Sequence, residues 1–282
     1  MNASVAITLS HVDTEVRKIR ETMDSTSRLK VLNWLSPIDH ENQQSDAFSQ
    51  CQSGTGKWFL ESEEFKRLLR EPKEALLCQG IPGAGKTVMA SIVINHLQGE
   101  FPQRDIGIAY VFCSFRQHNE QTLEDLLSGF LKQLAQQQPE VPGCITTAYG
   151  QFIARGILPS VEKLIELLIS VINSYGKVFM VLDALDEINA SDGTTRSLIA
   201  TLFEIQKEAP ISFLATSRHA AIANILSVFR SNESQFLDIR ASDEDVRTYI
   251  DGQLDTLRAV PSKDSKMRES IKDTIVKSVD GI

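Results

Sequence analysis

The chain has 282 residues, 42% hydrophobic and 23% charged, which suits one large α/β domain with extra segments and excludes global disorder. Lys and Arg number 29 against 37 Asp and Glu, a formal charge of −8, so no basic excess exists to neutralise a phosphate backbone and no nucleic-acid partner is expected. No apolar run approaches the roughly 20 residues of a membrane helix, Met1 to Ser10 lacks a basic n-region, and Cys51, Cys78, Cys113 and Cys144 form no C-x-x-C pair; a reduced, cytoplasmic setting without membrane or zinc is expected.

Residues 9 to 35 read as helical, with Leu9, Val12, Val16, Ile19 and Met23 at three- and four-residue spacing. Residues 36 to 57 are polar and read as a loop. Its Gly54-Thr55-Gly56-Lys57 looks like a phosphate loop but fails the template, because Cys51 and Trp58 stand where glycine and Ser or Thr are required. Trp58 to Leu69 marks a short amphipathic helix ended by Pro72. Strands are expected at Ala75 to Gln79, Ile106 to Phe115, Lys177 to Leu182, Ile211 to Ala215 and Gln235 to Ile239. Helices are expected at Val88 to Leu97, Thr122 to Gln137, 161 to 172, Thr194 to Lys207 and Ala220 to Phe229, with Pro139, Pro142 and Gly143 breaking the chain. Ser242-x-x-Asp245 resembles a capping box opening a helix to about Leu257. Its apolar face would be Val246, Tyr249, Ile250 and Leu254, and a last helix would carry Ile271, Ile275 and Val279 on one side. Strands alternating with helices predict a parallel, three-layer α/β sheet with its site at the carboxyl ends of the strands.

Between the first strand and its helix stands Gly80-Ile81-Pro82-Gly83-Ala84-Gly85-Lys86-Thr87, which fits G-x-x-x-x-G-K-[ST] at every fixed position. Glycines let the backbone curl until several N–H groups face one phosphate, and the helix N-terminus adds partial positive charge there. Gly80, Pro82, Gly83, Ala84, Gly85, Lys86, Thr87 and Val88 are therefore candidate nucleotide-binding residues. Lys86 would reach the β- and γ-phosphates, and the Thr87 hydroxyl would ligate Mg²⁺.

The third strand ends in Asp183-Ala184-Leu185-Asp186-Glu187. A carboxylate at the tip of a buried strand needs a charged partner, which makes Asp183 the metal-side acid beside Thr87. Glu187 first, and Asp186 second, are candidates to orient or deprotonate an attacking water; both also suit the start of a helix. Arg218, at the tip of the fourth strand, is placed to sense a γ-phosphate.

These stretches, together with Leu32-Asn33-Trp34-Leu35-Ser36-Pro37, Gly54-Thr55-Gly56-Lys57-Trp58-Phe59-Leu60 and Ala215-Thr216-Ser217-Arg218, resemble a NACHT domain of the fungal, nephrocystin-3-like N-terminal type. The resemblance runs from about residue 31 to about 257. Its most specific mark is the small Ala184 after the metal-side Asp183, with acids two and three positions beyond. It implies a signal-transducing P-loop ATPase: a five-stranded parallel three-layer sandwich, with residues 1–35 a helical connector, 36–240 the NTPase core and 241–282 the start of a helical lid. It also implies ATP/ADP and Mg²⁺ as ligands, slow hydrolysis, a switch closed with ADP and open with ATP, and self-association or pairing with NLR-like relatives. A non-catalytic nucleotide-binding module that pairs with full-length relatives is the alternative; a small-molecule kinase reading lacks an arginine-rich lid.

Overall fold

Five apolar runs become strands: β1 (Ala75–Gln79), β2 (Ile106–Phe112), β3 (Lys177–Asp183), β4 (Ile211–Ser217) and β5 (Gln235–Asp238). The computed structural model describes residues 24–101, 105–115, 121–188, 193–219, 223–256 and 265–279. Every pairing is parallel, in the order β2-β3-β4-β1-β5. Successive side chains of a strand point to opposite faces, so alternate residues feed two cores. Leu77, Val111, Met180, Leu182 and Phe213 enter one; Leu76, Cys78, Tyr110, Val181 and Leu214 enter the other. The first core is closed by α1 (24–35), α6 (Leu123–Gln137), α7 (Gly143–Ile153), α8 (Val161–Ile172), α9 (Thr194–Glu208) and α10 (Ala223–Ser231). The second is closed by α2 (His40–Ser49), α3 (Lys57–Leu60), α4 (Glu63–Arg70) and α5 (Lys86–Glu100). This is the three-layer α/β sandwich of the P-loop NTPases, with a five-stranded parallel sheet. Strand order reverses beside β1, so a crevice forms at its carboxyl end between neighbours β4 and β5.

Among the described residues the edge strand β2 has no strand on its outer side, and unpaired backbone groups there would be costly. Glutamines from α6 take the place of a sixth strand. Gln133 Oε1 accepts from Tyr110 N–H (3.1 Å) while its Nε2 donates to Tyr110 O (2.8 Å). One helical turn on, Gln137 does the same for Ile108 (3.0 and 2.6 Å); just before the helix, Gln121 Oε1 accepts from Ser114 N–H, just past the strand (3.2 Å). Truncating Gln133 leaves a buried donor and acceptor unmade, so Gln133→Ala should cost about 2 kcal/mol of stability. Urea unfolding checks this; a midpoint equal to that of the native chain would show that the edge needs no side-chain partner.

Several expectations are corrected. The span 36–57 is no plain loop: α2 occupies most of it. Asp39 caps it through Glu41 N–H (3.0 Å), and buried Gln44 donates to Ser91 O on α5 (2.9 Å), so polar side chains rather than an apolar stripe dock it. The helix from Trp58 to Leu69 is two helices, because Ser62 stops α3 and caps α4 by accepting from Phe65 N–H (3.2 Å). The break at Pro139 and Pro142 separates α6 from a helix not expected there, α7, which Pro142 and Gly143 open, where proline's missing N–H costs nothing. Strand β2 ends at Phe112 rather than Phe115, and β4 runs on to Ser217.

Beyond β5 lie α11 (Asp243–Thr256) and α12 (Ser265–Val279). Ile250 and Leu254 are buried as expected, but Tyr249 is exposed. On α12, Ile275 is exposed and Val276 buried. Ion pairs turn the helix: Arg247 meets Glu269 and Asp273, and Asp251 meets Lys272. Residues 269, 272, 273 and 276 share one helical face, which carries Val276 inward. The expected helix over 9–23 and Leu257 lie outside the described residues.

In α1, Val31, Leu32 and Leu35 join the first core. Arg28 donates to the carbonyls of Gln136, Gln138 and Pro139 (2.6–2.8 Å), satisfying the end of α6.

Candidate nucleotide-binding site

The loop after β1 is built on glycine. Gly80 N–H donates to Ser217 O (3.2 Å), tying the loop to the tip of β4. A Cβ at Gly80 would lie 2.7 Å from Ile239 O, so any other residue displaces the end of β5. Gly83 and Gly85 take the left-handed region, with φ of 81° and 84°. Helix α5 then opens at Lys86 with no side chain capping its first N–H groups. Those orphan donors, with the helix dipole behind them, form an anion-binding end.

Lys86 lies folded over this loop, its Nζ donating to Gly80 O (3.0 Å) and Ile81 O (2.9 Å). Burial lowers its pKa, and the nearby Asp186 and Asp183 charges oppose that shift. Pro82 and Thr87 are exposed at the same end, and Val88 is half-buried.

The neighbouring strand tips bring the acids. Asp183 is 2% exposed. Its Oδ1 accepts from Thr216 Oγ1 (2.6 Å), and that hydroxyl in turn accepts from Ala184 N–H (2.8 Å). Burial pushes the Asp183 carboxyl up, against hydrogen bonds from Thr216 and Thr87. Ala184 sits in the left-handed region at φ 56°, where a β-branched side chain would be strained. That residue swings the chain into a short 3-10 turn, Leu185–Glu187.

Within the turn the two acids differ. Asp186 accepts from Ser217 Oγ (3.1 Å), from Arg218 N–H (3.0 Å) and from Arg218 Nε. Burial raises its carboxyl, but the Arg218 hydrogen bonds prevail and leave it below the ordinary value. Glu187 instead accepts at Oε2 from Phe115 N–H (3.2 Å). All the sequence-predicted site residues therefore meet at one end of the sheet. Sequence reading missed Thr216 and Ser217 as the residues holding the two acids, although both lie inside a stretch quoted for the resemblance.

The residues present fit a magnesium-bound triphosphate. Two hard oxygen donors, the Thr87 hydroxyl at the start of α5 and the buried Asp183 carboxylate at the tip of β3, are close enough for the hydroxyl to act on the Asp183 carboxyl, beside a lysine whose Nζ is bound by loop carbonyls. Mg²⁺ takes one or two such protein oxygens and completes its shell with phosphate and water. Among the described residues no three His, Cys, Asp or Glu side chains cluster as an all-protein metal site.

The rejected Gly-Thr-Gly-Lys run has a structural role. Asp245, on α11, accepts from Gly56 N–H (3.0 Å) and Trp58 Nε1 (2.9 Å). Gly56 has φ 76°, and a Cβ there would meet Ile92 on α5 at 2.7 Å. The run thus joins α11 to the helix that follows the phosphate loop. Asp245 closes no reciprocal capping box, because its carboxylate is spent on this bond; Ser242 Oγ alone caps α11 at Asp245 N–H (3.0 Å).

The family model described as "Nephrocystin 3, N-terminal" matches residues 54–218, from this glycine run to the arginine at the tip of β4. The chain belongs to that family. No curated protein matches this nephrocystin 3 N-terminal family chain. Among solved structures it is similar to the Aeropyrum pernix Orc1 protein in complex with DNA (16% identity, TM-score 0.45), over 80% of this chain and 53% of that one. It is also similar to domain III of the Thermotoga maritima replication initiation protein DnaA (11% identity, TM-score 0.46), over 83% of this chain and 84% of that one. A third is AMPPCP-bound DnaA from Aquifex aeolicus (14% identity, TM-score 0.41), over 83% and 62%. The chain spans about half the length of the first of these. Among its described residues no helix is long and apolar enough to cross a membrane.

Proposed function

We propose that the chain is the nucleotide-binding core of a NACHT-type signalling ATPase. One observation carries the reading: Lys86, Thr87, Asp183 and Arg218 come from three chain segments to one crevice, with an uncapped helix end facing it. Left-handed Ala184, directly after Asp183 and before Asp186 and Glu187, favours NACHT over other P-loop types. In this reading residues 36–240 are the core, 1–35 a connector whose Val31, Leu32 and Leu35 pack into that core, and 241–282 the start of a lid.

In this reading the backbone from Gly80 through Val88, with Pro82 and Ala84 shaping the turn, cradles the phosphates. Lys86 exchanges its two loop carbonyls for β- and γ-phosphate oxygens. Thr87 and Asp183 would hold Mg²⁺, which would supply charge neutralisation at the phosphates. Glu187 would orient the water and take its proton, with Asp186 the second candidate, and Arg218 would read a γ-phosphate only once released from Asp186.

Calorimetry with Mg²⁺ and either ADP or a non-hydrolysable ATP analogue tests the proposal. Both should bind, with similar and modest affinity. In this reading the strand tips, not α11 and α12, would have to tell the two ligands apart, and a ligand of equal affinity for two states shifts neither. Light scattering should therefore show no ATP-driven assembly of these 282 residues. Absence of binding would overturn the nucleotide reading; an analogue-driven ring would show a complete switch.

A further inference from the structure

The charge beside the phosphate loop is already paired. Asp186 and Arg218 are 32 residues apart in sequence, yet parallel β3 and β4 bring their tips side by side. The Asp186 side chain is 3% exposed and takes three donors, two of them from Arg218 itself. A carboxylate has about four acceptor sites, so little of it is left to receive a proton from water. The Arg218 side chain is 48% exposed, and its charge is felt at Lys86. Its main chain and Nε are both fixed by the same acid, so the side chain leaves the strand already committed. A guanidinium neutralised by a neighbouring carboxylate attracts a phosphate weakly, and the carboxylate itself repels one.

We propose that Asp186 is a positioning residue that restrains Arg218, so that telling a triphosphate from a diphosphate requires breaking the Asp186–Arg218 pair. The inference rests on the proposed nucleotide site. It gives Asp186 a role other than water activation and leaves Glu187 as the acid for that task. It also supplies a reason, within the strand tips, for similar ADP and ATP affinities in the native chain.

The test is a double-mutant cycle on binding, read as the ratio of ADP to ATP-analogue dissociation constants. Asp186→Asn keeps an acceptor oxygen for Ser217 and Arg218 N–H but removes the charge. The ratio should shift toward the triphosphate by about tenfold, within the usual range of coupling between sites. In an Arg218→Gln background the same substitution should leave the ratio within about twofold. Arg218→Gln alone should also be nearly silent, because the restrained arginine contributes little; this single variant decides the matter if Asp186→Asn does not fold. A large loss of triphosphate preference in Arg218→Gln alone would overturn the restraint. So would Asp186→Asn that loses turnover with an unmoved ratio. A native chain that binds neither nucleotide overturns both this inference and the site it rests on.

Discussion

Lys86→Ala should lower ATP affinity by about 3 kcal/mol, roughly a hundredfold in Kd, without unfolding the chain. Two effects add. The substitution removes a cation that would form charge-assisted hydrogen bonds to two phosphates. It also unmasks Asp183, Asp186 and Glu187, all of which act on the Lys86 charge. With the lysine gone, an anionic ligand meets three carboxylates and one arginine already paired with Asp186. The net loss is smaller than the gross phosphate contacts suggest, because Lys86 gives up bonds to Gly80 O and Ile81 O on binding. Stability should hardly change: those two bonds lie on the loop surface, and alanine suits the first turn of α5. Isothermal calorimetry beside a thermal melt separates the outcomes. Unchanged ATP affinity in a folded variant would end the phosphate-loop assignment.

The phosphate loop and the strands were legible because each depends on local chemistry. Glycine spacing, Lys86 and Thr87 are fixed by the curl of one short segment. β3 is a continuous apolar run, readable without knowing its neighbours. What escaped reading depends on contacts far apart in sequence. Helix α2 has little apolar pattern, and its burial comes from Gln44 reaching Ser91. The glutamines that close β2 read as ordinary helix surface until the sheet order makes β2 an edge. Asp245 looked like a cap residue, and only the fold reveals Trp58 and Gly56 as its partners. Likewise, Asp183 and Arg218 were recognisable as strand-tip groups. Their partners Thr216 and Asp186 follow from β3 and β4 being parallel neighbours in register, Leu182 opposite Ala215.

Glu187→Gln should leave nucleotide affinity intact and reduce hydrolysis by about 10²–10⁴-fold, the usual worth of a positioned base. The two acids of the turn differ in their surroundings. Asp186 is bound by Ser217 and twice by Arg218, which holds its carboxyl below the ordinary value and makes it a poor proton acceptor. Glu187 touches the backbone of Phe115 instead, through one oxygen. A glutamine retains an amide oxygen for that N–H, so the turn and the end of β2 keep their shape while the basic charge is lost. Single-turnover hydrolysis with Mg²⁺, measured beside binding of the ATP analogue, separates chemistry from affinity. Full turnover in Glu187→Gln, with turnover lost in Asp186→Asn, would reverse the roles of the two acids. It would also require Asp186 to break from Arg218 before it could accept a proton, which predicts that Arg218→Gln accelerates hydrolysis. If Glu187 is the base, the arginine substitution leaves a turn still carrying its acid, and turnover should not rise.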